Sequence, residues 1–185
     1  MICVKGRCHK LSNTRGIIVF GANGSGKTTL GRELAHILNF KHMDIEDYCF
    51  NESEIPYTNA RSHEEYSNLM LVDIEKYRSF VISAVAEDFG EKISSMYELA
   101  VYITAPLEVR LKRIEQRERK RHGARICEGG DMYEQHLEFI DFVALRSLKP
   151  TEEWAKTLTC PIIQVDGTID WRINAANIAK RIKAD

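Results

Sequence analysis

At 185 residues the chain has the length of one domain. Apolar residues at 44% and charged residues at 29% make it too hydrophobic for disorder and too interrupted by charge for a membrane protein. Lysine and arginine (26) nearly balance aspartate and glutamate (27), which excludes a globally basic nucleic-acid binder and leaves any electrostatic function to the distribution of charge.

The stretch Met1 to Thr14 carries Lys5, Arg7, His9 and Lys10 with no apolar core after them, unlike a signal peptide. No run approaches the roughly 20 apolar residues of a bilayer span. Cys3 and Cys8-His9 have the look of metal ligands, but a structural zinc site needs four ligands at paired spacings and no second pair follows. The five cysteines (Cys3, Cys8, Cys49, Cys127, Cys160) are odd in number and scattered, as free thiols in a reducing cytosol are. A cytoplasmic protein is expected.

Short apolar runs of strand type follow at Ile17–Phe20, Phe40–Met43, Phe80–Ser83, Leu99–Ile103 and Ile162–Val165. Between them, apolar residues recur at helical spacing. Leu30, Leu34, Ile37 and Leu38 form one stripe, and Tyr66, Met70, Ile74 and Tyr77 a second. Leu107, Leu111 and Ile114 form a third, entered past Pro106, and Tyr133, Leu137, Ile140, Ala144 and Leu148 a fourth. Ile173, Ile178 and Ile182 predict a last helix capped by Asp170. Strands separated by helices need crossover connections, so the expected architecture is a single α/β domain: about five parallel strands covered by helices on both faces. Ligands of such sheets collect at the carboxyl ends of the strands.

At the end of the first strand stands Gly21-Ala22-Asn23-Gly24-Ser25-Gly26-Lys27-Thr28, with a helix starting near Thr29. The glycine–lysine–threonine spacing, between strand and helix, is that of a phosphate-binding loop. Its amides form a nest for an anion and the helix adds its positive end. Lys27 brings a point charge to the β and γ phosphates, and the Thr28 hydroxyl can ligate Mg2+.

Asp44 and Glu46 follow the second strand. The third strand ends in Ser83 rather than an acid, which moves the acidic role near Mg2+ onto Asp44. Asp44 could also orient or deprotonate an acceptor hydroxyl, with Glu46 on the same side of an extended segment. The plain alternative is that Asp44 or Asp47 caps a helix. Arg61 can clamp an anionic group if it faces the cleft, while Ser62 and Glu65 make a capping box for the next helix. The residues from 110 to 125 hold eight bases: Arg110, Lys112, Arg113, Arg117, Arg119, Lys120, Arg121 and Arg125. They read either as a mobile basic flap over a triphosphate or as an exposed helix laced with Glu108, Glu115 and Glu118 pairs. Arg110 and Lys112 are expected at the surface, and Arg113, Arg117 and Arg121 to Arg125 nearer the site.

Together, the glycine loop, the Asp44 and Glu46 pair, the Arg61-x-x-Glu64 segment and the arginine-rich flap resemble the shikimate kinase and nucleoside-monophosphate kinase superfamily. Uncharacterised bacterial shikimate-kinase-like proteins and, loosely, AAA-family ATPases share the likeness. The resemblance spans about Gly16 to Ile182 and implies a three-layer P-loop kinase fold with strand order 2-3-1-4-5, ATP and Mg2+ as co-substrates, and a lid that closes. It implies an acceptor segment at 45–78 and a lid at 113–131. Within that likeness Asp44 lies near metal and acceptor, Glu46 grips acceptor hydroxyls, Arg61 binds the acceptor and Arg117 the γ-phosphate. Arg113 and Arg121 would attend ATP, Arg125 and Ser83 the acceptor, and the loop holding Asp166 the adenine. The Gly-Gly-Gly run of shikimate kinases is replaced here by Ser83-Ala84-Val85, and the Asp-Gly-x-Pro-Arg of nucleotide kinases is missing.

The leading expectation is therefore a kinase of a small-molecule acceptor, shikimate-kinase-like, with no nucleic-acid or membrane partner. A nucleoside or nucleoside-monophosphate kinase and an ATP-binding regulatory NTPase are the alternatives. The short chain and the missing acidic end on the third strand speak against an AAA motor.

Overall fold

Strand β1 (Arg15–Phe20) turns Ile17 and Val19 to one helical layer and Ile18 and Phe20 to the other, all of them buried. Successive side chains on a strand point to opposite faces, so a strand covered on both sides needs this unbroken apolar run. In the computed structural model, which describes residues 14–86 and 88–184, β1 is the centre of a five-stranded sheet. The others are β2 (Lys41–Asp44), β3 (Ser79–Ala84), β4 (Tyr97–Thr104) and β5 (Ile162–Asp166). The order is β2-β3-β1-β4-β5 and every pair is parallel. The order implied by the family resemblance is the order found. Cys3, Cys8 and His9 lie outside the described residues.

The connecting helices are α1 (Lys27–Leu38), α2 (Ile45–Cys49), α3 (His63–Tyr77), α4 (Glu91–Ser94), α5 (Leu107–His122), α6 (Tyr133–Leu145), α7 (Lys149–Ala155) and α8 (Trp171–Ala184). Leu30 and Leu34 of α1 and Ala175, Ile178 and Ala179 of α8 form one layer of the core. Tyr66, Met70 and Ile74 of α3 and Ile93 of α4 form the other. Trp154 of α7 closes that layer, edge-on to Phe20 with ring centroids 5.1 Å apart.

Local signals decide where the helices begin. Ser62 Oγ accepts from Glu65 N at 3.3 Å and Glu65 Oε2 accepts from Ser62 N at 2.7 Å, the reciprocal box expected from the sequence. Ser62→Ala removes one half of it and should lower Tm by about 2–4 °C, measurable by thermal melting, without disturbing the phosphate loop. Asp170 caps α8 through Arg172 N at 2.7 Å.

Tyr77 and Leu107, at the ends of their stripes, are exposed, and two further stripes differ more widely from expectation. In α8 Ile173 is 55% exposed, and the buried frame is set by Asn174, Ala175, Ile178 and Ala179. The fourth stripe is not core: Leu137 is 41% exposed, Ala144 is exposed, and Leu148 lies beyond the end of α6. The reason is placement, because α6 packs on α5 and the turn after it rather than on the sheet. Among the described residues no cysteine forms a disulfide, no helix is long and apolar enough to cross a membrane, and no cluster of three His, Cys, Asp or Glu side chains could hold a metal.

Candidate active site

The turn from β1 to α1 is held open by close backbone approaches. Gly21 has φ +150 and Gly24 φ +78, and a Cβ at these positions would lie 2.2 Å from the Ile103 carbonyl oxygen and 2.6 Å from that of Arg110. Only glycine fits either place without moving β4 or α5. Gly26 brings no side chain to cap α1, so the first amides of the helix stay open to an anion. Ser25 is wholly buried and its Oγ has no hydrogen-bond partner among the described residues. Buried hydroxyls are ordinarily paired, and this one stands in the wall of the cleft. Lys27 Nζ donates to the Ala22 carbonyl at 3.0 Å, folding the lysine across its own loop. Burial pushes its ammonium down to about 8, with the carboxylates of Glu46 and Asp44 opposing and Arg117 and Arg146 adding to the shift.

The loop forms one wall of a cleft of about 440 Å³. From the loop and α1, Asn23, Gly24, Ser25, Gly26, Lys27, Thr28 and Thr29 line it. Asp44, Glu46 and Ser83 face them from the sheet end, and Arg113, Arg117 and Arg121 descend from α5. Most of the residues expected to act together are thus in one place. Asp44 also caps α2, its Oδ1 accepting from Glu46 N at 3.3 Å, so the cap reading holds while the residue still lines the cleft. The cap turns the chain into a helix; Glu46 sits in its first turn rather than on an extended segment.

Other expectations are corrected. Arg61 is not in the wall of the phosphate cleft: its Nη1 donates to the Tyr48 and Phe50 carbonyls, both at 2.7 Å, at the end of α2. Arg125 pairs bidentately with Asp131, at 2.9 and 2.6 Å, and reaches the Glu54 carbonyl instead of the cleft. The Asp166 carboxylate accepts from Thr168 N and Oγ1 at 2.8 and 2.7 Å, and its neighbours Gly167 and Ile169 line the cleft in its stead. Ser83 is in the wall, but its hydroxyl donates inward to the Lys27 carbonyl at 3.3 Å and lies 3.0 Å from His42 Nε2. Arg110, expected at the surface, is buried, with Nη1 donating to the Asn23 carbonyl at 3.3 Å.

The basic segment is helical as far as His122 and continues in a 3-10 turn at Gly123–Ile126. Arg113 binds the Ser25 carbonyl at 3.2 Å and the Gly167 carbonyl at 2.8 Å, joining the phosphate loop to the loop after β5. Glu118, read from the sequence as one acid of an exposed helix, is buried between Arg117 (2.7 Å) and His122 (3.4 Å). Sequence reasoning missed Arg146, whose Nη1 donates to Asn23 Oδ1 at 3.4 Å, and Arg32 and Trp171 in the cleft wall. Nothing in their spacing marked them; they come from the middle of α1, the end of α6 and the start of α8, which meet only in the fold.

A second cavity, also about 440 Å³, lies between α2 with the segment after it, the end of α5, and α6. Its wall includes Asn23, Glu46 and Arg117, which the first cleft also touches. Tyr57 stands beside this junction with φ +67, its hydroxyl donating to Glu46 Oε2 at 3.2 Å and accepting from Arg121 Nη1 at 3.1 Å. A bulky residue is uncommon in that backbone region, and such positions cluster at ligand sites.

A family model described as an AAA domain matches residues 17–135. Uncharacterized protein YqaC of Bacillus subtilis is 28% identical over 160 residues, covering 82% of this chain and 88% of its own. Among solved structures, the shikimate kinase of Acinetobacter baumannii in complex with shikimate superposes with a TM-score of 0.57 at 18% identity, over 92% of this chain and 94% of that one. A sugar kinase from Janibacter sp. HTCC2649 gives 0.55 at 16% identity, over 92% and 95%. At these identities the structural likeness is one of fold alone, a P-loop kinase fold.

Proposed function

We propose, from the premise that this chain belongs to the AAA domain family, that it is a small-molecule kinase passing the γ-phosphoryl group of ATP to a hydroxyl of an acceptor. The observation that carries this reading is the meeting of two cavities at Asn23, Glu46 and Arg117. One is lined by the phosphate loop and bases, the other by a group of apolar side chains (Phe50, Tyr57, Ile126, Met132, Phe139 and Phe142) with polar ones between them. A switch or plain hydrolase needs only the first. An enzyme of two substrates needs both, joined where the phosphoryl group changes hands.

In this reading the loop amides and Lys27 hold the phosphates, and Arg117 and Arg121 supply charge on the far side of the transferred group. Asp44 orients the acceptor hydroxyl and takes its proton as the new P–O bond forms and the bond to ADP breaks. The buried Ser25 hydroxyl without a partner and the open helix end fit a bound nucleotide. Thr28 and Asp44, on facing walls of the cleft, would hold Mg2+, which supplies neutralising charge to the phosphate oxygens when bound. Trp171 and Ile169 would stand beside the base. Residues 45–78 serve the acceptor and residues 113–131 act as the lid, in a cytosolic enzyme.

ADP release from Mg-ATP, measured across a panel of hydroxylated acceptors, tests the reading. One acceptor should raise the rate far above the acceptor-free background; slow release at one rate throughout would contradict it.

The depressed Lys27 gives a pH signature. Binding phosphates requires the protonated lysine, so affinity for ATP should fall as pH rises through about 8, by up to about tenfold per pH unit. Stability runs the other way. The unfolded lysine holds its proton to 10.5 and the folded one only to about 8. Between those values the unfolded chain binds more protons, so this group makes the nucleotide-free protein more stable as pH rises. Calorimetric titration with ATP and urea midpoints over that range check both signs.

A further inference from the structure

Resting on the kinase reading, we propose that the acceptor is an uncharged aromatic hydroxyl compound of the nucleoside class, and that carboxylate- and phosphate-bearing acceptors are refused. The second cavity has the walls for a flat apolar body. Phe50 and Tyr57 meet edge to face, with ring centroids 5.3 Å apart and planes at 79°. Phe139 and Phe142 face the same space from α6, and Phe142 is 50% exposed there. Aromatic side chains placed around a cavity favour a planar ring that can stack or meet them edge-on.

Charge in the cavity speaks against an anion. Its wall carries three carboxylates, from Glu46, Glu118 and Glu138, and one arginine, Arg117. That arginine is ion-paired to Glu118 at 2.7 Å, and His122 sits on the other oxygen at 3.4 Å. The bases that could have met an anionic acceptor are engaged elsewhere. Arg61 binds the α2 carbonyls, Arg125 binds Asp131, and Arg121 is turned to Tyr57 in the phosphate cleft. A carboxylate or phosphate brought into this cavity would meet those three carboxylates, with only the paired Arg117 and the imidazoles of His122 and His136 to receive it. Hydroxyls, in contrast, find the carboxylate of Glu46 at the junction with the phosphate cleft, where a sugar hydroxyl would be placed for phosphorylation.

Binding measured without turnover tests the proposal separately from the kinase reading. The protein is titrated calorimetrically, in the presence of Mg2+ and a non-hydrolysable ATP analogue, with the common nucleosides, their 5′-monophosphates, shikimate and glucosamine. At least one nucleoside should bind about 100-fold more tightly than its monophosphate and than shikimate. Phe139→Ala should weaken that nucleoside about tenfold with ATP-analogue affinity unchanged, and Glu118→Gln, which frees Arg117, should narrow the gap to the monophosphate. Tighter binding of shikimate, a monophosphate or glucosamine than of any nucleoside overturns the proposal. So does the absence of nucleoside binding by protein that holds the ATP analogue. A nucleoside that binds as stated but never receives phosphate upholds the cavity's specificity and removes the kinase reading instead.

Discussion

Lys27→Ala should cut acceptor-dependent phosphoryl transfer by roughly 10²–10³-fold while leaving a protein at least as stable as the parent near neutral pH. The two halves of this result have one cause. Below about 8 the lysine is charged in a place where burial penalises the charge, so the folded state carries that cost until phosphates arrive. Among the described residues its one side-chain hydrogen bond is to the Ala22 carbonyl, within its own loop. Alanine removes the buried charge and nothing that joins one element to another. Steady-state kinetics and a urea titration of the same preparation read both halves. A variant that lost stability and activity together would mean that Lys27 holds the loop rather than the phosphates.

Asp44→Asn should lower kcat by about 10²-fold or more, within the range for removal of a positioned acid or base. Asparagine also caps helices well, so α2 should keep its start at Glu46 N and the melting temperature should change little. The substitution therefore separates the carboxylate's chemistry from its cap. If Asp44 were a cap alone, Asp44→Asn would be close to silent in kinetics. If it attends the acceptor hydroxyl as well as Mg2+, kcat stays low even at saturating Mg2+ and ATP.

What could be read from the sequence was what local spacing dictates. The phosphate loop was legible because its glycines, lysine and threonine are the chemistry itself, set out in consecutive positions after a strand. The box of Ser62 and Glu65 was legible for the same reason: both partners lie within one turn. The order of the strands followed from the family resemblance and not from the pattern of apolar residues, which gives alternation but no neighbours. Side chains whose direction depends on distant chain were not legible. Arg61 and Arg125 are arginines in a segment rich in function, yet one is drawn to helix-end carbonyls and the other to an aspartate six positions on. Arg110 looks like its neighbour Lys112 in a sequence, but the helix turns it under the phosphate loop. The stripe on α6 illustrates the limit of periodicity: it tells that a face is apolar, not whether that face meets the sheet or lines a cavity. Here the cavity is lined by Phe139 and Phe142, which lie off that stripe, while Leu137 of the stripe is 41% exposed.

The most direct measurement of the central claim is the fate of the label when ATP labelled in its γ-phosphoryl group is turned over with each acceptor. The two-cavity account predicts that label appears on the acceptor in step with ADP, with little as inorganic phosphate, and that Asp44→Asn slows its arrival. Label released only as inorganic phosphate, at one rate whichever acceptor is present, would contradict it.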